Sequence, residues 1–241
     1  MLTLVVVQLL EAFFHVDRFL MLSPEHLPNP LRWYELLTYS LAHSREDITH
    51  LLFNLLFLFF FGRQVEAMIG GRNAFFVFAA VAAVLSSLSY LLIEFIRSDM
   101  ASPLLGASGI AYACLVAYAT ILPNAEVIVL FVPVRAWVLA SILMAVAVYT
   151  AALNPFSGVA HVAHFGGGAF GFLFIRYRHA ITGLVDGARA RRQLSARARE
   201  VDRRQEMDRI LEKISQEGLG SLSKTEKKFL ESASRDLRDR R

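Results

Sequence analysis

The sequence predicts an all-α fold, a polytopic membrane bundle of six transmembrane helices, and three observations carry that expectation. With 55% apolar residues over 241 positions and a mean hydropathy of +0.45, the chain is too hydrophobic for an ordinary soluble domain. Its apolar residues gather into runs of about 20, long enough to cross a hydrocarbon core of roughly 30 Å. Its charge is segregated: no Lys occurs before Lys213, whereas the stretch after His179 is dense in Arg, Lys, Asp and Glu. Residues 1–178 therefore read as a membrane body and residues 179–241 as a charged cytoplasmic helical tail.

The first apolar run, residues 1–14, is short, because Glu11, His15, Asp17 and Arg18 interrupt it. At 1.5 Å per residue it reaches about 21 Å. It begins at Leu2 without a basic leader, and Ser23-Pro24 is no small-x-small cleavage site, so this segment is expected to be retained. Residues 15–48 form a long connection punctuated by Pro24, Pro28 and Pro30. Interspersed Phe19, Leu20, Leu22, Leu36, Leu37 and Leu41 place it in the membrane interface, the level that Trp33 and Tyr34 also prefer.

The second and third runs, 49–69 and 73–96, are split by Gly70-Gly71. Pro123-Asn124 closes the fourth, 106–122, and Asn154-Pro155 with Gly158 closes the fifth, 134–152, before the sixth at 159–177. Six crossings put both termini on one side. Arg63, Arg72, Arg135, Arg176 and Arg178 share that side with the basic tail. Arg32, Arg45 and Arg97 on the other are offset by Glu25, Glu35, Glu46, Asp47 and Asp99. The bias toward positive charge inside makes both termini cytoplasmic.

In the tail, residues 186–216 read as a highly charged helix with a thin apolar stripe that includes Ile210 and Ile214. Ser223-Lys224-Thr225-Glu226 is a capping box that starts a second helix. The lone cysteine, Cys114, can form no intrachain disulfide and reads as a small buried hydrophobe.

Polar side chains recur at one end of three apolar runs, where hydrocarbon cannot solvate them and where they usually line a functional path. His50 and Asn54 head the second run, Ser108 in Gly106-Ala107-Ser108-Gly109 heads the fourth, and His164 heads the sixth. With cytoplasmic termini these runs all enter from the outer face, so the polar groups share a depth within several ångströms. His50 with Asn54, and Ser108 with Tyr112, are spaced i, i+4 and share a helix face. His164, Gly167 and Gly171 form one stripe, and Gly109, Ala113 and Ala117 form another. Small residues at such spacing let membrane helices approach closely, which predicts contact between the fourth and sixth runs with Ser108 beside His164.

These residues resemble the rhomboid family of intramembrane serine proteases, bacterial type. The match runs in order through His50-Leu51-Leu52-Phe53-Asn54, Gly106-Ala107-Ser108-Gly109 with Tyr112, and Ala163-His164 followed by Gly167 and Gly171. Glu66 after Gly62 resembles the family's acidic residue at the inner end of the second span. The chain departs from the family in carrying Trp33-Tyr34 where Trp-Arg is common, and in the added length Ser44-Arg45-Glu46-Asp47.

The resemblance implies a catalytic dyad of Ser108 and His164, rather than His161, with His50 and Asn54 binding the oxyanion. It implies cleavage of single-pass or polytopic membrane proteins within the lipid bilayer, near its outer face, with a bacterial cytoplasmic membrane as the location. The alternative is a catalytically silent rhomboid-like protein that binds membrane clients.

Rival chemistries lack their residues. There is no His-Glu-x-x-His zinc helix, Asp17, Asp47 and Asp99 fall in loops, and the membrane body has no Lys for a serine-lysine pair. The glycine pattern of a soluble nucleophile elbow is broken by Ile110. No metal, cofactor or nucleic acid is expected to bind.

Overall fold

The computed structural model describes residues 2–14, 16–44, 48–97, 103–129, 131–153 and 161–230. The chain divides into two compact units, Met1–Arg178 and His179–Arg241. Asn154, Pro155, Gly158, Asp99, His15 and the inserted Arg45 to Asp47 lie outside the described residues.

In the first unit, helix α1 covers Leu2–Phe14. The connection after it is folded: helices α2 (Asp17–Leu20) and α3 (Glu35–Thr38) alternate with 3-10 turns at Pro24–His26, Pro30–Arg32 and Tyr39–Leu41. Proline opens two of those turns, where its missing N–H costs nothing and its fixed φ suits the geometry. The buried Glu35 carboxylate ties the connection together. It accepts the Ser23 N–H at 3.2 Å and meets Arg32 and the His26 ring, each at 3.1 Å.

Helix α4 (Ile48–Phe57) runs through a π turn (Leu58–Gly62) into α5 (Arg63–Ile69), and Gly70-Gly71 turns the chain into α6 (Arg72–Arg97). The connection is pinned to α6 where Tyr39 Oη donates to Ala83 O at 2.9 Å and Ser87 Oγ to Leu36 O at 3.1 Å. Helix α7 (Ser108–Ile121), a hairpin of β1 (Glu126–Val129) and β2 (Val132–Arg135), α8 (Ala136–Leu153) and α9 (His161–Glu217) follow.

Among the described residues, three helical stretches are long and apolar enough to cross a membrane: Ile48–Ile69, Arg72–Ile96 and Ala136–Leu153. Leu52, Phe76, Phe95, Ile142 and Tyr149 on them are exposed, as lipid-facing side chains are. The expected six are not reached on length and composition. Helix α1, with 13 residues, and α7, with 14, extend about 20 Å. Helix α9 starts apolar but continues to Glu217, so the tail helix expected at 186–216 is part of it. For α7 the ends are set by Gly106, whose φ of +109° is not helical, and by Pro123, and its surroundings are protein. Gly109, Ala111, Ala113, Cys114, Leu115, Ala117 and Ala119 are all buried, so the helix is packed by protein around most of its circumference.

The all-α expectation also needs amending, because the segment after Pro123 is an antiparallel hairpin. Glu126 pairs with Arg135 and Ile128 with Pro133. Its β-branched run suits a strand, and in a two-stranded ribbon both strands are edges, which tolerates Pro133. Phe131, in the turn, takes φ of 71°.

The second unit holds the remainder of α9, a 3-10 turn at Leu219–Ser221 and a helix over residues 224–230. Ser223 and Glu226 form reciprocal capping bonds: Ser223 N donates to Glu226 Oε2 at 2.7 Å, and Glu226 N to Ser223 Oγ at 3.2 Å. Arg209 and Lys213 pair with the same carboxylate at 2.8 and 3.2 Å. The Ser223 N–H, then Arg209 and Lys213, hold the Glu226 carboxyl down to about 2. Ile210 and Leu222 are buried beside this clasp.

Candidate active site

Ser108 is the first residue of α7, and the chain enters it through Gly106, where there is no room for a side chain. Gly106 has φ of +109°, and a Cβ there would stand 2.6 Å from His50 Cε1. Only glycine satisfies both conditions. The lead-in is hydrogen-bonded to the folded connection: Gly106 N donates to Tyr39 O at 3.0 Å, and Leu104 exchanges two backbone bonds with Leu22.

At the head of α9, His164 Nε2 stands 2.7 Å from Ser108 Oγ. The Tyr112 ring, one turn along α7, stacks on the imidazole with centroids 4.6 Å apart and planes 4° from parallel. His164 Nδ1 is buried and has no hydrogen-bond partner among the described residues. The imidazole is thus oriented by an aromatic face. His161 presents an edge to it at 5.7 Å.

The helices that carry this pair meet backbone to backbone. A Cβ at Gly167 would overlap Gly109 O, one at Gly171 would overlap Ala113 O, and one at Gly109 would overlap Ser86 Oγ. The glycines therefore set the α7–α9 distance, and with it the separation of Ser108 from His164.

His50 and Asn54 approach from α4. His50 packs on Gly106, and Asn54, 4% exposed, places Nδ2 3.1 Å from His43 Nε2. His50 thus packs on the segment leading into Ser108, and Asn54 reaches it through His43.

No motif in the sequence singles out His43, but its ring is the hub of this side of the site. Nδ1 lies 3.2 Å from Leu41 O, a carbonyl that can only accept, so the proton is on Nδ1. Nε2 then accepts from Asn54 and, at 3.4 Å, from Ala107 N. Such a ring must stay neutral. Burial, reinforced by the neighbouring His50, lowers the His43 pKa to about 4. Among the described residues, no cluster of three or more His, Cys, Asp or Glu side chains could hold a metal ion.

A helical membrane protein with a serine and a histidine in hydrogen-bond contact between two closely packed helices is the class that this fold and site define. The Rhomboid domain family matches residues 30–181, more than half of the chain, and the protein belongs to the rhomboid family as an integral membrane protein. Rhomboid protein 1, mitochondrial, of Saccharomyces cerevisiae is 32% identical over 161 residues, covering 64% of this chain and 44% of the yeast protein. The chain thus spans less than half the length of that curated relative. Residues 196–236 match a family of unknown function, DUF6576.

Proposed function

We propose that the protein is an intramembrane serine endopeptidase that cleaves membrane-protein substrates through Ser108 and His164, near the outer face of a bacterial cytoplasmic membrane. The observation that carries this reading is the 2.7 Å contact between His164 Nε2 and Ser108 Oγ under the stacked Tyr112 ring.

Serine hydroxyl is a weak nucleophile until a base takes its proton, and neutral imidazole performs that task near pH 7. Ser108 Oγ attacks the scissile carbonyl carbon while His164 Nε2 takes the hydroxyl proton. The carbonyl π pair moves to oxygen, and the tetrahedral oxyanion needs fixed donors because lipid offers none. The second Asn54 amide hydrogen, a His50 ring N–H and the Ser108 backbone N–H supply them. Collapse expels the amine, which receives the proton from His164. Water, deprotonated in turn by His164, then hydrolyses the acyl-enzyme. A transmembrane substrate must unwind locally first, since an intact helix hides its carbonyls in its own hydrogen bonds.

In this reading α1, α7 and the first part of α9 cross beside the three long helices. Both termini are then cytoplasmic, in keeping with Arg63, Arg72, Arg135, Arg176 and Arg178 on one side. The body over residues 1–178 does the chemistry, and residues 179–241 form a charged cytoplasmic helical tail.

Covalent labelling tests the proposal. A fluorophosphonate probe applied to detergent-solubilised protein modifies the peptide that contains Ser108, and His164→Ala abolishes the adduct. Labelling elsewhere, or equal labelling of His164→Ala, overturns the dyad.

A further inference from the structure

Helix α1 lies before the matched Rhomboid domain, which starts at residue 30, and the dyad chemistry uses none of its residues. Yet its inward face is polar. Leu4, Gln8 and Glu11, spaced i, i+4, i+7, share that face, and all three are buried. Leu4 packs with Leu51 of α4 and with Ala107, the residue before Ser108. Gln8 Nε2 donates to Ser44 O at 3.4 Å. Glu11, 0% exposed, places Oε2 3.3 Å from the backbone nitrogen of His43.

A carboxyl group buried in a membrane helix costs solvation free energy that an apolar residue of similar size would not. Hydrogen bonding offsets part of that cost. Here the carboxyl holds the backbone of His43, whose ring accepts from both Asn54 Nδ2 and Ala107 N. Rotation of His43 would release the Asn54 amide and the lead-in to Ser108 together.

We propose that Glu11 is a positioning residue of this site: its carboxyl accepts the His43 N–H and thereby fixes the ring that orients Asn54 and Ala107. Glu11 acts through His43 and touches no reacting atom. The kinetic part of the proposal rests on the protease reading, while the structural part does not.

The test compares wild type, Glu11→Met, which keeps the volume without an acceptor, and Glu11→Gln, which keeps an acceptor oxygen. Hydrogen exchange in detergent reads the His43 amide directly. Glu11→Met accelerates exchange over residues 42–44 by about tenfold, the equivalent of one hydrogen bond, leaving α6 and α8 unchanged. Glu11→Gln stays near wild type. In cleavage assays Glu11→Met lowers kcat by roughly tenfold or more with KM and thermal midpoint little changed, and Glu11→Gln recovers most of the loss. Combined with His43→Ala, Glu11→Met adds no further defect, because the two act in series.

Unchanged exchange in Glu11→Met, or a defect that adds fully to that of His43→Ala, overturns the proposal. If wild type neither cleaves substrate nor reacts with the probe, the protease reading fails. The exchange comparison then decides the role of Glu11 by itself.

Discussion

Asn54 gives one amide hydrogen to His43, so its carboxamide is held, and in the proposed mechanism its other hydrogen binds the oxyanion. Loss of one oxyanion donor typically slows catalysis by about 10²- to 10³-fold. Asn54→Ala is therefore expected to cleave that much more slowly while Ser108 still takes up a serine-directed probe. Turnover at the wild-type rate would remove Asn54 from the mechanism. His43 carries a pH dependence. Its pKa in the folded protein is about 4, below the usual 6.5, so the unfolded chain binds the proton first as pH falls. The stability due to this ring is complete above about pH 6.5 and declines as pH drops toward 4. Thermal melts should show that decline, and His43→Gln should flatten it; identical pH profiles would contradict the role. Ser108, His164, His50 and Asn54 were legible in the sequence as polar groups at one end of apolar runs. His43 and Glu11 were not, because a histidine in a connection and a glutamate in a weak span look like ordinary solvated residues until packing buries them.

At the scale of elements, α7 and α9 meet at glycine. The atoms that a Cβ at Gly167 or Gly171 would strike are backbone carbonyl oxygens, which cannot swing aside as a flexible side chain can. Gly167→Val and Gly171→Val should push the helices apart, and a displacement of about 1 Å costs roughly 10²-fold in rate. Activity and thermal midpoint are expected to fall together in detergent, although neither glycine has a chemical role. Full activity with full stability in both variants would mean that the stripe sets no distance. The stripe was readable because its spacing matches a helix. The hairpin was not. The apolar run from Val127 to Val134 is too short to separate strand from buried helix by period alone, and its tip at Phe131 carries no glycine signal. Nor was the π turn at Leu58–Gly62 legible, since it inserts no break in the apolar run.

For the whole molecule, hydropathy located the helices and the lengths of all but the last, whose apolar run at 159–177 opens a helix that continues to Glu217. Apolar composition does not distinguish a helix facing lipid from one surrounded by other helices. Helix α7, read as a span of residues 106–122, begins at Ser108 after the positive φ of Gly106 and ends at Ile121 before Pro123, and most of its surface is covered by protein. The central claim is that Ser108 and His164 together make this membrane protein a protease. The most direct measurement reconstitutes purified wild type, Ser108→Ala and His164→Ala in liposomes with a transmembrane substrate and follows the fragments by mass spectrometry. Wild type is expected to make one intramembrane cut and either variant none, with all three folded by thermal melting, because nucleophile and base act as a unit. Continued cutting at the same bond by folded Ser108→Ala, or no cutting by wild type of any substrate with an unwindable helix, would contradict that claim.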